Sequence, residues 1–194
     1  MSGQSSSRFS SLHDVELASL STAGDRGAFG ELVRRNGSAV RGLVRRMGAS
    51  FAEADDVSQD AFLTAFESIS DFRGEGAFAG WVKRIAARQY LRKLQRSRRL
   101  TDLLAVDADA AEDSNVQAFA AGRIDLDEGL RGLGVPERLC VTMCYGAGLS
   151  HAEAAQALNL PLGTVKSHVK RGLEKLRARL APEGVQQEGS VAHG

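Results

Sequence analysis

The sequence predicts an all-α chain of two small helical domains joined by a flexible linker, and three observations carry that prediction. Apolar residues recur every three to four positions in several separate stretches, no stretch alternates convincingly at the two-residue period of a strand, and a long acidic segment with little periodic apolar content divides the chain. With 194 residues, 43% hydrophobic content and 6% aromatic content, there is material for two modest cores rather than one large one.

Residues 1–13 are Ser-rich and without periodicity, which predicts a disordered tail before a first domain over residues 14–100. From Asp25 onward, Phe29, Leu32, Val33, Val40, Leu43, Val44 and Met47 mark a long amphipathic helix with a candidate kink near Gly37. Val57, Ala61, Phe62, Ala65, Phe66 and Ile69 mark a second helix. A polar, Gly-containing loop from Asp71 to Gly76 follows, and Phe78, Trp81, Val82, Ile85 and Ala86 open a third helix whose distal half is densely basic.

Residues 101–122 carry Asp, Ala, Glu, Ser and Asn with little periodic apolar content, the composition of a flexible acidic linker. The second domain spans residues 123–181. Leu126, Leu130 and Leu133 begin it, Pro136 suits the first turn of a helix through Leu139, Val141 and Met143, and a helix-turn-helix pattern follows. Residues 182–194 read as a second loose tail.

The helix-turn-helix is the most specific local pattern. Ser150 with Glu153 three residues on has the spacing of a capping box, in which each side chain satisfies a backbone N–H of the other. Ala154, Ala155 and Leu158 form a small apolar face, and Asn159 to Gly163 supplies a turn. A second helix begins near Thr164, with Val165, Val169, Leu173 and Leu176 inward and Lys166, Ser167, Lys170 and Arg171 outward. Thr164 is placed to cap that helix or to bond a phosphate.

The net charge of +1 conceals strong segregation. Lys83 to Arg99 holds eight basic and no acidic residues, whereas Asp102 to Glu128 holds eight acidic residues and one Arg. No signal peptide and no apolar run of membrane-spanning length is present, which predicts a cytoplasmic protein without membrane insertion.

Cys140 and Cys144 lie four apart with His151 nearby, but structural zinc needs four ligands and a second pair is missing, so they read as small buried hydrophobes. His13, His168 and His193 are scattered, no Ser/His/Asp arrangement emerges, and no Gly-x4-Gly-Lys-Ser/Thr phosphate loop occurs. No enzymatic activity, metal site or cofactor is expected.

Taken together, the motifs resemble the sigma-70 family of bacterial RNA polymerase specificity subunits, in its smallest class, the extracytoplasmic-function or group 4 sigma factors. Phe29-Gly-Glu-Leu-Val, Ala54-Asp-Asp-Val-Ser-Gln-Asp-Ala-Phe-Leu, Phe72-Arg-Gly and Phe78-Ala-Gly-Trp-Val-Lys-Arg-Ile-Ala resemble region 2. Leu133-Gly-Val-Pro-Glu-Arg, Gly148-Leu-Ser and Leu160-Pro-Leu-Gly-Thr-Val-Lys-Ser-His-Val-Lys-Arg-Gly-Leu resemble region 4. A lone helix-turn-helix is weakly specific; both halves in this order are strongly so.

The resemblance implies three surfaces. Region 2 docks on the clamp helices of the polymerase largest subunit through a face matched here by Asp56, Gln59 and Asp60. The same aspartates can equally solvate a helix or stabilise its first turn through the macrodipole. The third helix and its preceding loop recognise and melt the minus-10 element. Here Asp71 to Ala79 offers a base pocket, and Lys83, Arg84, Arg88, Arg92, Lys93 and Arg96 offer phosphate contacts. Trp81 has a stacking face, although its position between Phe78 and Ile85 favours the core. Where the family often carries Asn and Asp, this chain has Arg88 and Arg92, which favours backbone binding over base preference.

Region 4 implies minus-35 reading by Thr164, Lys166, Ser167, Lys170 and Arg171, as contacts to base edges or to phosphates. Lys175, Arg177 and Arg179 are weaker candidates. The partners implied are core RNA polymerase, through the largest-subunit clamp and the flap of the second-largest subunit, promoter DNA, and an anti-sigma protein. Two other readings compete. Thr164-Val-Lys-Ser-His-Val also looks like the output helices of response regulators, but a receiver domain would need alternating strands and helices. An adaptor without promoter activity leaves the basic helices unexplained.

Overall fold

The computed structural model describes residues 8–74, 76–97, 102, 104 and 126–180. These form helices α1 (Asp14–Thr22), α2 (Arg26–Arg46), α3 (Phe51–Glu67), a short 3-10 turn (Ile69–Asp71), α4 (Phe78–Arg96), α5 (Leu126–Arg131), α6 (Val135–Val141) running into a wider π turn (Thr142–Gly146), α7 (His151–Leu158) and α8 (Leu162–Leu180). Among the described residues there is no strand, so the all-α prediction holds. Most of the segment expected to be a linker, and the expected C-terminal tail from 182 on, lie outside the described residues.

Helices α2, α3 and α7 start where the sequence offers a side-chain cap. Asp25 Oδ1 accepts from the backbone N–H of Gly27 at 2.9 Å and of Ala28 at 3.2 Å, opening α2. Ser50 and Glu53 form a capping box on α3, with Ser50 N–H donating to Glu53 Oε2 at 2.9 Å and Glu53 N–H to Ser50 Oγ at 3.2 Å. The expected box on α7 has the same two bonds between Ser150 and Glu153, at 2.9 and 3.2 Å.

Helices α2, α3 and α4 wrap one core, in which Leu32, Val40, Leu43, Val44, Ala54, Ala61, Phe78, Val82 and Ala86 are fully or almost fully buried. Phe29, Phe66, Phe72, Phe78 and Trp81 stack edge-on or tilted through it, with Phe29 and Phe66 ring centres 4.9 Å apart. Trp81 keeps part of its surface exposed while lying 5.5 Å from Phe72 and 5.8 Å from Phe78, a packing role with one open edge.

Three sequence expectations are corrected. First, α1 was not foreseen, because its apolar residues are not confined to one stripe: Leu17 and Ala18 are buried while Val15 points to solvent. Second, the tail does not extend to residue 13. Phe9 is buried, and Arg35 on α2 donates to the carbonyls of Phe9 and Leu12 at 2.7 Å each, fastening residues 9–12 to the domain. Third, α2 runs unbroken for 21 residues past Gly37. Buried Leu32, Asn36 and Val40 continue the inner stripe across that glycine, and packing outweighs its low propensity.

In the second group, α6 and α8 cross closely at Gly172, where an added Cβ would stand 2.7 Å from Val141 Cγ2. Pro136 sits in the first turn of α6 as expected. Asn159 ends α7 in the left-handed conformation, φ 54°, which Asn tolerates better than most residues. The two groups are not independent in space. Leu139, Cys140, Met143, Ala147, Leu149, Ala154, Ala155, Leu158, Val165 and Val169 join the same apolar core as the first domain.

Candidate DNA and polymerase interfaces

The outer face of α8 gathers four of its five expected residues. Thr164, Ser167, Lys170 and Arg171 line a shallow concavity with Pro161, Gly163 and Glu174. Spacings of three and four keep them on one side of the helix while Val165, Val169 and Leu176 are buried behind it. Lys166 is exposed but lies outside that concavity. The capping expectation for Thr164 is corrected. The helix begins at Leu162, and the Pro161 carbonyl accepts from Thr164 and Val165 N–H at 3.0 and 3.2 Å, so Thr164 lies inside the first turn.

Two contacts orient this face. Arg171 Nη2 stands 3.1 Å from His168 Nδ1 one turn earlier, and Arg171 Nε lies 3.9 Å from Glu137 on α6. Glu137 is buried, and Lys175 Nζ donates to both its carboxylate oxygens at 2.9 and 3.0 Å. Its negative charge thereby anchors the basic helix against α6 while leaving Lys170 exposed.

On α4 the basic residues divide into two stripes instead of one continuous surface. Arg84, Arg88 and Gln95 recur within one narrow arc, and all three reach the second domain: Arg84 Nη2 donates to Gly148 O, Arg88 Nη2 to Glu153 Oε1 and Gln95 Nε2 to Ala157 O, each at 2.9 Å. Arg92, Lys93 and Arg96 instead line an open groove of about 1080 Å³ against α3. Lys83 is half-buried. Glu153 sits below the usual carboxylate range, chiefly because the Ser150 backbone N–H bonds it, then the Ser150 hydroxyl, with Arg88 and Arg84 adding attraction.

The expected base-pocket loop does border a cavity. Ser70, Phe72, Arg73 and Gly74 line about 480 Å³ with Val15, Ala18, Ser19, Thr22 and Ala23, so α1 supplies a wall that sequence reading missed. Glu75 lies outside the described residues.

Asp56, Gln59 and Asp60 are exposed on α3 and share the α3/α4 groove with Arg92 and Arg96. Lys93 Nζ approaches Asp56 at 3.9 Å, whereas Arg41 of α2 holds Asp55 at 2.6 Å. Two apolar neighbours complete this face. Leu63 is 55% exposed and Phe66 38% exposed, and with Gln59 they border a second cleft of about 650 Å³ between α2 and α3. Leu63 falls outside the inward stripe of α3, and that mismatch is the sequence signal that marks it as a surface contact.

Cys140 is fully buried and Cys144 partly so, and burial pushes the Cys140 thiol up to about 12. Among the described residues no group of three His, Cys, Asp or Glu is placed to hold a metal.

Comparison with known proteins matches both halves. The sequence model for Sigma-70 region 2 matches residues 32–100, and that for Sigma-70, region 4 matches residues 129–178. The RNA polymerase sigma factor NccH of Alcaligenes xylosoxydans xylosoxydans is 34% identical, with 86% of this chain and 94% of that protein aligned. The ECF RNA polymerase sigma-E factor of Escherichia coli is 32% identical over 88% of this chain and 96% of its own length. A solved structure of CnrH in complex with the cytosolic domain of CnrY matches at 29% identity and a TM-score of 0.50, covering 85% of this chain and 95% of that one. The chain therefore belongs to the sigma-70 family, in its extracytoplasmic-function class.

Proposed function

We propose that α8 reads the minus-35 element, α4 with the loop before it engages the minus-10 element, and the exposed face of α3 docks on core polymerase. The protein is a sigma factor, a non-enzymatic specificity subunit that binds core RNA polymerase and directs initiation at chosen promoters. The observation that carries the assignment of surfaces is that exposed Ser167, Lys170 and Arg171 and half-buried Thr164 line one concave face of a helix whose other face is buried. Lys and Arg there meet the polyanion, and Arg171 has the fork geometry for a guanine edge.

On α3, a partner bearing arginines would find Asp56 and Asp60 as charge-assisted acceptors and Leu63 as an apolar contact between them and Phe66. On α4, Arg92 and Arg96 are open to phosphate, while Arg84 and Arg88 are exposed but hydrogen-bonded to the second domain. The protein works in the cytoplasm with polymerase and is held in check by an anti-sigma partner, in line with the complexed state of its relative CnrH. No helix among the described residues is long and apolar enough to cross a membrane. Selection of bound duplexes from a randomised library by the sigma–core complex, followed by the same selection with Lys170→Ala, tests the reading of α8. Loss of preference in the upstream element alone is the supporting result; an unchanged upstream consensus rejects it.

A further inference from the structure

We infer that Glu137, on α6 and outside the concave face of α8, is a positioning residue for minus-35 reading: it aims Arg171 at a base edge and withholds Lys175 from the phosphates. This role rests on the proposed reading by α8 and adds the group that sharpens its specificity. Only 8% of the Glu137 side chain is exposed, and a carboxylate buried to that degree needs partners. Both come from α8. Lys175 Nζ donates to its two oxygens at 3.0 and 2.9 Å, and Arg171 Nε stands 3.9 Å from Oε1, one turn earlier on the same helix.

The helix crossing brings that carboxylate into place. Gly172 lies between Arg171 and Lys175 in sequence, and an added Cβ there would stand 2.7 Å from Val141 Cγ2 and 3.4 Å from Glu137 Cβ. The close approach at this glycine sets Glu137 between two side chains that share one face of α8. A neutral, well-packed pair would hold two helices together at least as well as a buried ion pair, so it is the charge, more than the packing, that calls for a role. Taking Lys175 away to a phosphate would leave the buried carboxylate with Arg171 alone, a costly state, and Lys175 therefore stays with Glu137 although it sits on a basic helix.

The guanidinium of Arg171 is held from a second direction as well. Its Nη2 lies 3.1 Å from Nδ1 of half-buried His168, and because arginine can only donate, that ring nitrogen accepts. With Nε turned to Glu137 and one Nη2 hydrogen to His168, the hydrogens left over are both of those on Nη1 and the other on Nη2. Together they form the end of the fork, the edge that can pair bidentately with guanine O6 and N7. Among the described residues no hydrogen bond or ion pair holds Lys166 or Lys170, so Arg171 is the ordered cation of this face. A side chain ordered before it meets DNA loses less rotamer freedom on binding, and it meets a wrong base with its donors already aimed elsewhere.

Glu137→Gln in the full chain tests this, because it keeps the shape of the side chain and removes its charge. The probes are a short labelled duplex carrying the upstream element selected by the sigma–core complex and the same duplex with that element scrambled, titrated by fluorescence anisotropy across a salt series. Discrimination between the two falls by about tenfold as Arg171 loses its aim. Freed Lys175 meanwhile steepens the salt dependence by about one ion. Glu137→Gln with Lys175→Gln restores the net charge, so the salt dependence returns to the wild-type value while discrimination stays low. His168→Ala removes the other hold on Arg171 and serves if Glu137→Gln melts early by circular dichroism; it lowers discrimination at unchanged salt dependence. Equal weakening on both duplexes with unchanged salt dependence means that Glu137 only ties α6 to α8 and overturns the positioning role. Full discrimination in whichever of the two single variants stays folded overturns it too. Arg171→Ala separates the two layers: discrimination kept in that variant rejects base reading by Arg171 itself, whereas discrimination lost there but kept in Glu137→Gln rejects only the positioning.

Discussion

Arg88 Nη2 lies 2.9 Å from Glu153 Oε1, so the basic face of α4 and the capped first turn of α7 share one ion pair across two domains. That contact is one reason why the basic residues from Lys83 to Arg96 do not form a single continuous surface. Helical geometry sorts those from Arg84 to Arg96 into a stripe hydrogen-bonded to the second domain and a stripe lining the groove against α3.

On α8, Lys170→Ala and Arg171→Ala each weaken binding to a minus-35 duplex by about 1–3 kcal/mol if the side chain reads a base, with relaxed preference at one position. A residue that contacts phosphate instead lowers the salt dependence of binding by about one ion while leaving preference intact. Anisotropy titrations across a salt series distinguish the two, and unchanged affinity for both variants contradicts the assigned face.

On α3, Asp60→Arg and Leu63→Ser each lower affinity for core polymerase, the charge reversal by roughly tenfold or more because it sets like charges against a basic partner. Pull-down with a fragment carrying the largest-subunit clamp measures it. Glu128→Lys, exposed on α5 and lining neither cleft beside α3, serves as the comparison, and an equal loss there means the effect is one of net charge alone.

The difference between Leu63 and its neighbours shows how much of these sites was legible in the sequence. Periodicity placed α2, α3, α4 and α8, and the Ser150/Glu153 spacing placed the start of α7, because each is a local signal that one helix carries by itself. Helix α1 was not legible. It is held by Arg35 and Asn36 reaching back from α2 to Phe9, Leu12 and Asp14, with Asn36 Nδ2 3.1 Å from Asp14 Oδ2, and such tertiary ties leave no period in the segment they fix. The partition of the α4 arginines was hidden for the same reason: it depends on a second domain more than 60 residues away.

Acid sensitivity should centre on Glu31. Hydrogen bonds from Arg34 and Arg35 hold its carboxyl at about 2, down from 4.5. A carboxylate depressed by folding stabilises the native state fully above its unfolded value, and that contribution disappears as pH falls from about 4.5 through about 2. Urea unfolding of wild type and Glu31→Gln should therefore diverge at neutral pH and converge towards pH 2. A difference independent of pH contradicts the ionic origin.

The cysteines should behave as packing residues. With its thiol at about 12, Cys140 carries almost no thiolate at pH 8, while the partly exposed Cys144 is also raised by burial but less enclosed. Mass spectrometry after iodoacetamide treatment should find Cys144 alkylated first and Cys140 only after denaturation. Rapid alkylation of Cys140 in the folded protein would show that its site opens readily.

The central claim is that one chain grips a promoter at two points through α4 and α8 while α3 holds polymerase. Run-off transcription by core polymerase from a promoter library, with and without the purified protein, tests it most directly. The account predicts protein-dependent transcripts whose templates share two elements at fixed spacing, with Lys170→Ala altering the upstream one and Arg92→Ala/Arg96→Ala reducing output from all. An absence of transcripts from a protein that still binds core polymerase and isolated duplex would contradict it.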